Sequence, residues 1–169
     1  MVNMSTKKLT RIALTSAILF VSQIALAGVP NCEIVSLLVI VFTLSFGKEM
    51  ILSVWIFALL EMAAWGMGSW VIMYFYLWPL LVFICLGLKR FHLDRVGWMI
   101  VLAFWGLIFG ALCALVYIPV SPSYALNYWI AGIPWDIRHC VCNAILCFIL
   151  YKPLQHIMKE INKKFISND

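Results

Sequence analysis

Asp136, His139 and Asn143 stand three and four residues apart in a run that is otherwise almost wholly apolar. At that spacing they share one face of a helix. A carboxylate, an imidazole and an amide in a row can accept, donate and relay hydrogen bonds to one small molecule. Pro134 suits the first turn of a helix, where its missing N–H costs nothing. The pattern therefore predicts a helix that begins at Pro134, with Asp136 in its first turn at the positive end of the helix dipole. Charged groups within a membrane helix are costly and face a cavity or a partner. This helix reads as one wall of a binding site.

Two further acids belong with it. Glu33 and Glu61 fall toward the same end of the chain's helices as Asp136, and Glu61 lies a full turn inside Trp65. Aromatic residues crowd that end: Trp65, Trp70, Tyr74, Tyr117, Tyr124, Tyr128, Trp129 and Trp135. An interfacial aromatic belt accounts for many of them, but it does not account for Glu61. The expected substrate site consists of Glu33, Glu61, Trp65, Trp129, Trp135, Asp136, His139 and Asn143. Aromatic rings supply flat stacking area and a few polar groups fix orientation. The other acids, Glu49, Asp94, Glu160 and Asp169, have basic neighbours and read as solvated surface charges.

Asp136 and His139 also resemble an acid–base pair, so a membrane-embedded enzyme is the competing reading, and a purely structural subunit is a third. A hydrolase would need a nucleophile or a metal. Ser36, Ser69, Ser121, Ser123, Cys32 and Cys140 lie toward the right end, none in a recognisable nucleophile elbow. The six cysteines contain no CxxC pair and read as small buried apolar residues without disulfides. No catalytic residue, metal or cofactor is expected.

The elements that must position these groups are membrane helices. The 169 residues are 65% hydrophobic and 11% charged, against about 25% charged in a soluble domain. Mean hydropathy is +1.03. Such a chain makes one all-α integral membrane domain over residues 1–169, with helices at about 9–27, 33–46, 50–65, 70–88, 96–118 and 134–151. The segment 124–132 reads as a short helix or an ordered loop, and Pro79 as a kink. The apolar run after the basic N-terminus is too long for a signal peptide. Eleven of the twelve Lys and Arg residues fall in segments that share one side of a six-span, in–in topology; Arg138 is the twelfth. The net charge of +5 thus reports topology and not nucleic-acid binding.

Three stretches resemble the substrate-binding S components of energy-coupling factor (ECF) transporters, the bacterial vitamin-uptake class. Ala13-Leu14-Thr15-Ser16-Ala17 looks like that family's small-xxx-small motif on helix 1. The six-span plan with short loops is similar. Gly132-Ile133-Pro134-Trp135-Asp136, followed by His139, Asn143 and Lys152-Pro153-Leu154, looks like the start and end of the family's helix 6. Pro30-Asn31-Cys32-Glu33 looks like the family's start of helix 2. The resemblance implies a multi-pass subunit of the bacterial plasma membrane. It implies capture of a small substrate from outside, and docking through Ala13 and Ala17 on a transmembrane coupling subunit that rests on two cytoplasmic ATPases. The absence of any nucleotide motif agrees with a driving force supplied by partners. The acidic, aromatic candidates favour a flat heteroaromatic micronutrient with donor groups, a vitamin, a vitamin precursor or a purine-like queuosine precursor.

Overall fold

The computed structural model describes residues 5–166, with side chains through Lys163. Asp169 lies outside the described residues. Helix α1 spans Thr6–Leu26, α2 Val35–Phe46, α3 Met50–Trp65, α4 Ser69–Leu88, α5 Arg95–Ala114 and α6 Pro122–Ile166. Short 3₁₀ turns follow α2, α4 and α5. Among the described residues there is no strand. Ser5 caps α1 by accepting from the Lys8 N–H, and Asp94 caps α5 by accepting from the Gly97 N–H.

Five stretches are long and apolar enough to cross a bilayer: Thr6–Leu26, Val35–Trp65, Ser69–Phe91, Arg95–Tyr117 and Pro122–Lys163. The second joins α2 and α3 through the turn at Gly47. Large apolar side chains line the outside of the bundle, among them Leu14, Val21, Ile72, Phe83, Ile100, Phe104, Val141 and Ile149. An apolar surface this extensive needs lipid around it.

Helix α2 is the centre. Every residue from Val35 to Thr43 is buried, so the helix is apolar all round, as a core helix must be. Gly47 takes a φ of +65°, which reverses the chain. Helix α3 then runs back alongside α1: Arg11 meets Glu49 at 3.4 Å, and Thr15 Oγ1 donates to Ser53 Oγ at 2.9 Å. Small hydroxyl residues at this seam let the two helices approach closely. One end of the bundle thus gathers Arg11, Phe46 and Glu49, with Lys89 donating to the Leu44 carbonyl. The opposite end gathers Ser69, Tyr117 and Tyr124.

Proline breaks neither α4 nor α6. Pro79 has no N–H for the carbonyl of Phe75, one turn back; the Trp55 indole N–H donates to that carbonyl instead, at 3.2 Å. The expected helix start at Pro134 is corrected: α6 begins at Pro122 and passes through Pro134 and Pro153 unbroken. Its 45 residues make a rod of about 67 Å. In an apolar surrounding, a proline costs one hydrogen bond, whereas ending the helix would strand several backbone groups. Asp136 therefore sits about four turns inside α6, too deep for the dipole of the helix start to act on it.

Candidate functional site

The sequence between α1 and α2 does not stay at the rim. Helix α2 begins only at Val35, and the preceding turn enters the bundle. Asn31 adopts a φ of +54°, a left-handed conformation that Asn tolerates. Glu33 follows it. Its Oε2 accepts from the Ser36 N–H at 2.8 Å, so the carboxylate caps α2. Its Oε1 accepts from His139 Nε2 of α6 at 3.0 Å. Cys32 forms a disulfide with Cys142, with Cα atoms 5.4 Å apart. This corrects the expectation that all six cysteines are unpaired. Cys140 and Cys142 do point to different faces of α6, and it is Cys142 that meets the turn. Cys85, Cys113, Cys140 and Cys147 are free.

Helix α6 presents Asp136, His139 and Asn143 to α5 as one buried row, each 2–3% exposed. Asp136 Oδ1 accepts from the Gly110 N–H at 2.9 Å, and its buried Oδ2 has no hydrogen-bond partner. Asn143 Nδ2 donates to the Leu102 carbonyl at 3.3 Å. The row fits because α5 is notched there. A Cβ on Gly106 would lie 2.7 Å from the Cys140 nitrogen, and one on Gly110 would lie 2.5 Å from Asp136 Oδ2. Gly106-Leu107-Ile108-Phe109-Gly110 is a GxxxG step, the pattern that lets two membrane helices touch backbone to backbone. The expected site omitted both glycines, although the spacing alone was the signal.

Two recesses open on this row. The first, about 190 Å³, lies under the α1–α2 turn and is lined by Gln23, Asn31, Cys32, Glu33, Tyr74, Trp78, Phe109 and His139 among others. The second, about 360 Å³, is lined by Asn31, Phe109, Gly110, Cys113, Tyr128, Ala131, Gly132, Trp135 and Asp136. Asn31 and Phe109 belong to both. The aromatic wall is continuous: Tyr74 meets Trp78 at 5.5 Å, Trp78 meets Phe109 at 6.1 Å, and Phe109 meets the His139 ring edge-on at 4.9 Å. Buried groups left without partners include Gln23 Oε1, Trp78 Nε1 and His139 Nδ1. A site with both orphan donors and orphan acceptors is built to be completed by something else.

The structure brings together Glu33, Trp135, Asp136 and His139 around these recesses. It leaves the other four predicted residues apart from them. Asn143 lines neither recess and instead ties α6 to α5. Glu61 is buried on α3 with Oε1 unpartnered, but it lines neither recess. Trp65, the last residue of α3, is 61% exposed. Trp129 lines a separate apolar groove with Ala111, Ile118 and Pro122. Tyr74, Trp78, Phe109 and Tyr128 take the places expected of Trp65 and Trp129. Of these, Tyr74 and Tyr128 carried a sequence signal as part of the aromatic cluster; Trp78 and Phe109 sit mid-helix in apolar runs and carried none.

Ala13 and Ala17 are exposed on α1, on the side away from the Thr15 and Ser16 contacts with α3. Among the described residues no group of three or more His, Cys, Asp or Glu side chains is arranged to hold a metal. Comparison with known proteins matches the chain to no family model, no curated protein and no solved structure.

Proposed function

We propose that this chain is the substrate-binding subunit of an ECF-type importer in a bacterial plasma membrane. It captures a small heteroaromatic micronutrient from outside, and an ATPase-driven coupling module delivers it to the cytoplasm. The observation that carries the reading is the pair of adjoining recesses walled by aromatic rings, Glu33–His139 and Asp136, in a bundle that is otherwise apolar. The motif resemblance on α1 and α6 gives the class. The chain crosses six times in this reading, with α2 and α3 as separate, short passages and both termini in the cytoplasm. The charge partition supports that orientation. So does the Cys32–Cys142 disulfide, which would form at the end facing an oxidising exterior.

The enzyme reading is weaker, because Asp136 bonds to a backbone amide and not to His139, and no hydroxyl or thiol is hydrogen-bonded to the imidazole. The separation of binding from docking tests the importer reading. Ala13→Trp or Ala17→Trp places an indole on the exposed small-residue strip of α1. Substrate binding to the purified subunit is expected to stay within about twofold of the original, while uptake by cells that also contain the coupling subunit and its two ATPases is abolished. An equal fall in binding and uptake would contradict a docking role.

A further inference from the structure

The charge of the larger recess narrows what it holds. Asp136 is a carboxylate that is 3% exposed. One oxygen takes the Gly110 N–H; the other has no partner. Among the described residues, no Lys or Arg lines either recess. Arg138, on the same helix, is exposed and lines neither. His139 is already held by Glu33, so that imidazole–carboxylate pair satisfies itself. Asp136 is left as a buried acid with no counter-charge from the chain. A buried charge without a partner is among the costliest groups a fold can contain.

The rest of the lining is aromatic. Phe109, Tyr128 and Trp135 stand around the same recess as Asp136. Ring faces carry negative potential and attract cations, most strongly when water is excluded, and boxes of aromatic rings bind quaternary nitrogen. A carboxylate and three rings around one space point the same way. An anion there would meet Asp136 with nothing to neutralise it, and a neutral ring would leave the carboxylate uncompensated.

We propose that the recess selects an organic cation: a flat ring bearing a permanent or protonated nitrogen. Asp136 Oδ2 is its counter-ion, and Phe109, Tyr128 and Trp135 enclose the ring. The inference rests on the binding-subunit reading above and specifies the charge of its substrate. Glu33 and His139, reached past Asn31 and Phe109, serve a second, hydrogen-bonding part of the same molecule.

Three water-soluble probes of nearly equal shape separate charge from shape: 1-methylnicotinamide (cationic), nicotinamide (neutral) and nicotinate (anionic). Each is titrated into the purified full-length protein in detergent, read by calorimetry and by tryptophan fluorescence. The cation is expected to bind at least about tenfold more tightly than the other two, the equivalent of one charge-assisted contact. Asp136→Asn is expected to erase that difference. Tyr128→Leu, a change at a partly exposed position, is expected to weaken the cation severalfold without affecting folding; Tyr128→Phe keeps the ring and is expected to restore binding. If nicotinamide or nicotinate binds as tightly as the cation, the charge assignment is overturned and the pocket reading stands. If no probe binds, the assignment is likewise overturned, and the pocket reading is then judged on its own by the molecule recovered from native membranes.

Discussion

Gly110 and Asp136 explain each other. The absence of a side chain on α5 leaves the space into which the carboxylate of α6 fits, and the exposed amide of Gly110 becomes its donor. Gly110→Ala puts a methyl group 2.5 Å from Oδ2. The carboxylate can swing aside, so the expected effect is on the site: substrate affinity falls about tenfold while the unfolding temperature moves little. Gly106→Ala differs in kind. Its methyl group meets the backbone of His139 and Cys140 at 2.7–2.9 Å, and backbone cannot rotate away. The helices must separate, at a cost of about 1–3 kcal/mol. Thermal unfolding and calorimetry on both variants check the contrast; equal unfolding temperatures would contradict it.

Some of this was legible residue by residue. The spacing of Asp136, His139 and Asn143 gave their shared face, because one helix periodicity governs both sequence and structure. Trp129 and Trp135 were read together although six residues place them about 240° apart around a helix. They do face different ways, one to an apolar groove and one to the recess. Trp65 shows the same limit, since an indole serves a lipid interface as well as a pocket.

Among the elements, the turn between α1 and α2 matters most to the site. It carries Asn31, Cys32 and Glu33 into the bundle, and one disulfide, one hydrogen bond and the cap on α2 hold it there. The cross-link joins residues 110 apart in sequence. Closing so long a loop stabilises a fold by about 2–4 kcal/mol. Cys142→Ser is expected to lower the unfolding temperature and to weaken substrate binding. Dithiothreitol is expected to lower the unfolding temperature of the unchanged protein and leave that of Cys142→Ser where it is. A variant as stable as the unchanged protein would show that the disulfide does not hold the turn. Sequence alone did not disclose this pair, since spacing within a chain says nothing about contacts between a turn and a distant helix. The uninterrupted α6 was hidden for a related reason. Proline and glycine at 132–134 look like a boundary in water, and an apolar surrounding changes which outcome costs less.

At the scale of the whole molecule, the apolar all-helical character follows directly from composition, and the alternating directions of the helices agree with their short connections. The orientation across the membrane comes from the basic residues. It is checked by placing single cysteines at Ser123 and at Lys159 and adding a membrane-impermeant thiol reagent to intact cells. Reaction at position 123 and none at position 159 is expected; the reverse would invert the topology.

The central claim is that the recesses beside Asp136 hold a small molecule. The most direct measurement is mass spectrometry of what is released when the protein, purified gently from its native membrane, is denatured. One heteroaromatic compound is expected at close to one per chain, and its recovery is expected to fall at least about tenfold from Asp136→Asn. Release of nothing beyond lipid and detergent, or an undiminished yield from Asp136→Asn, would contradict the account.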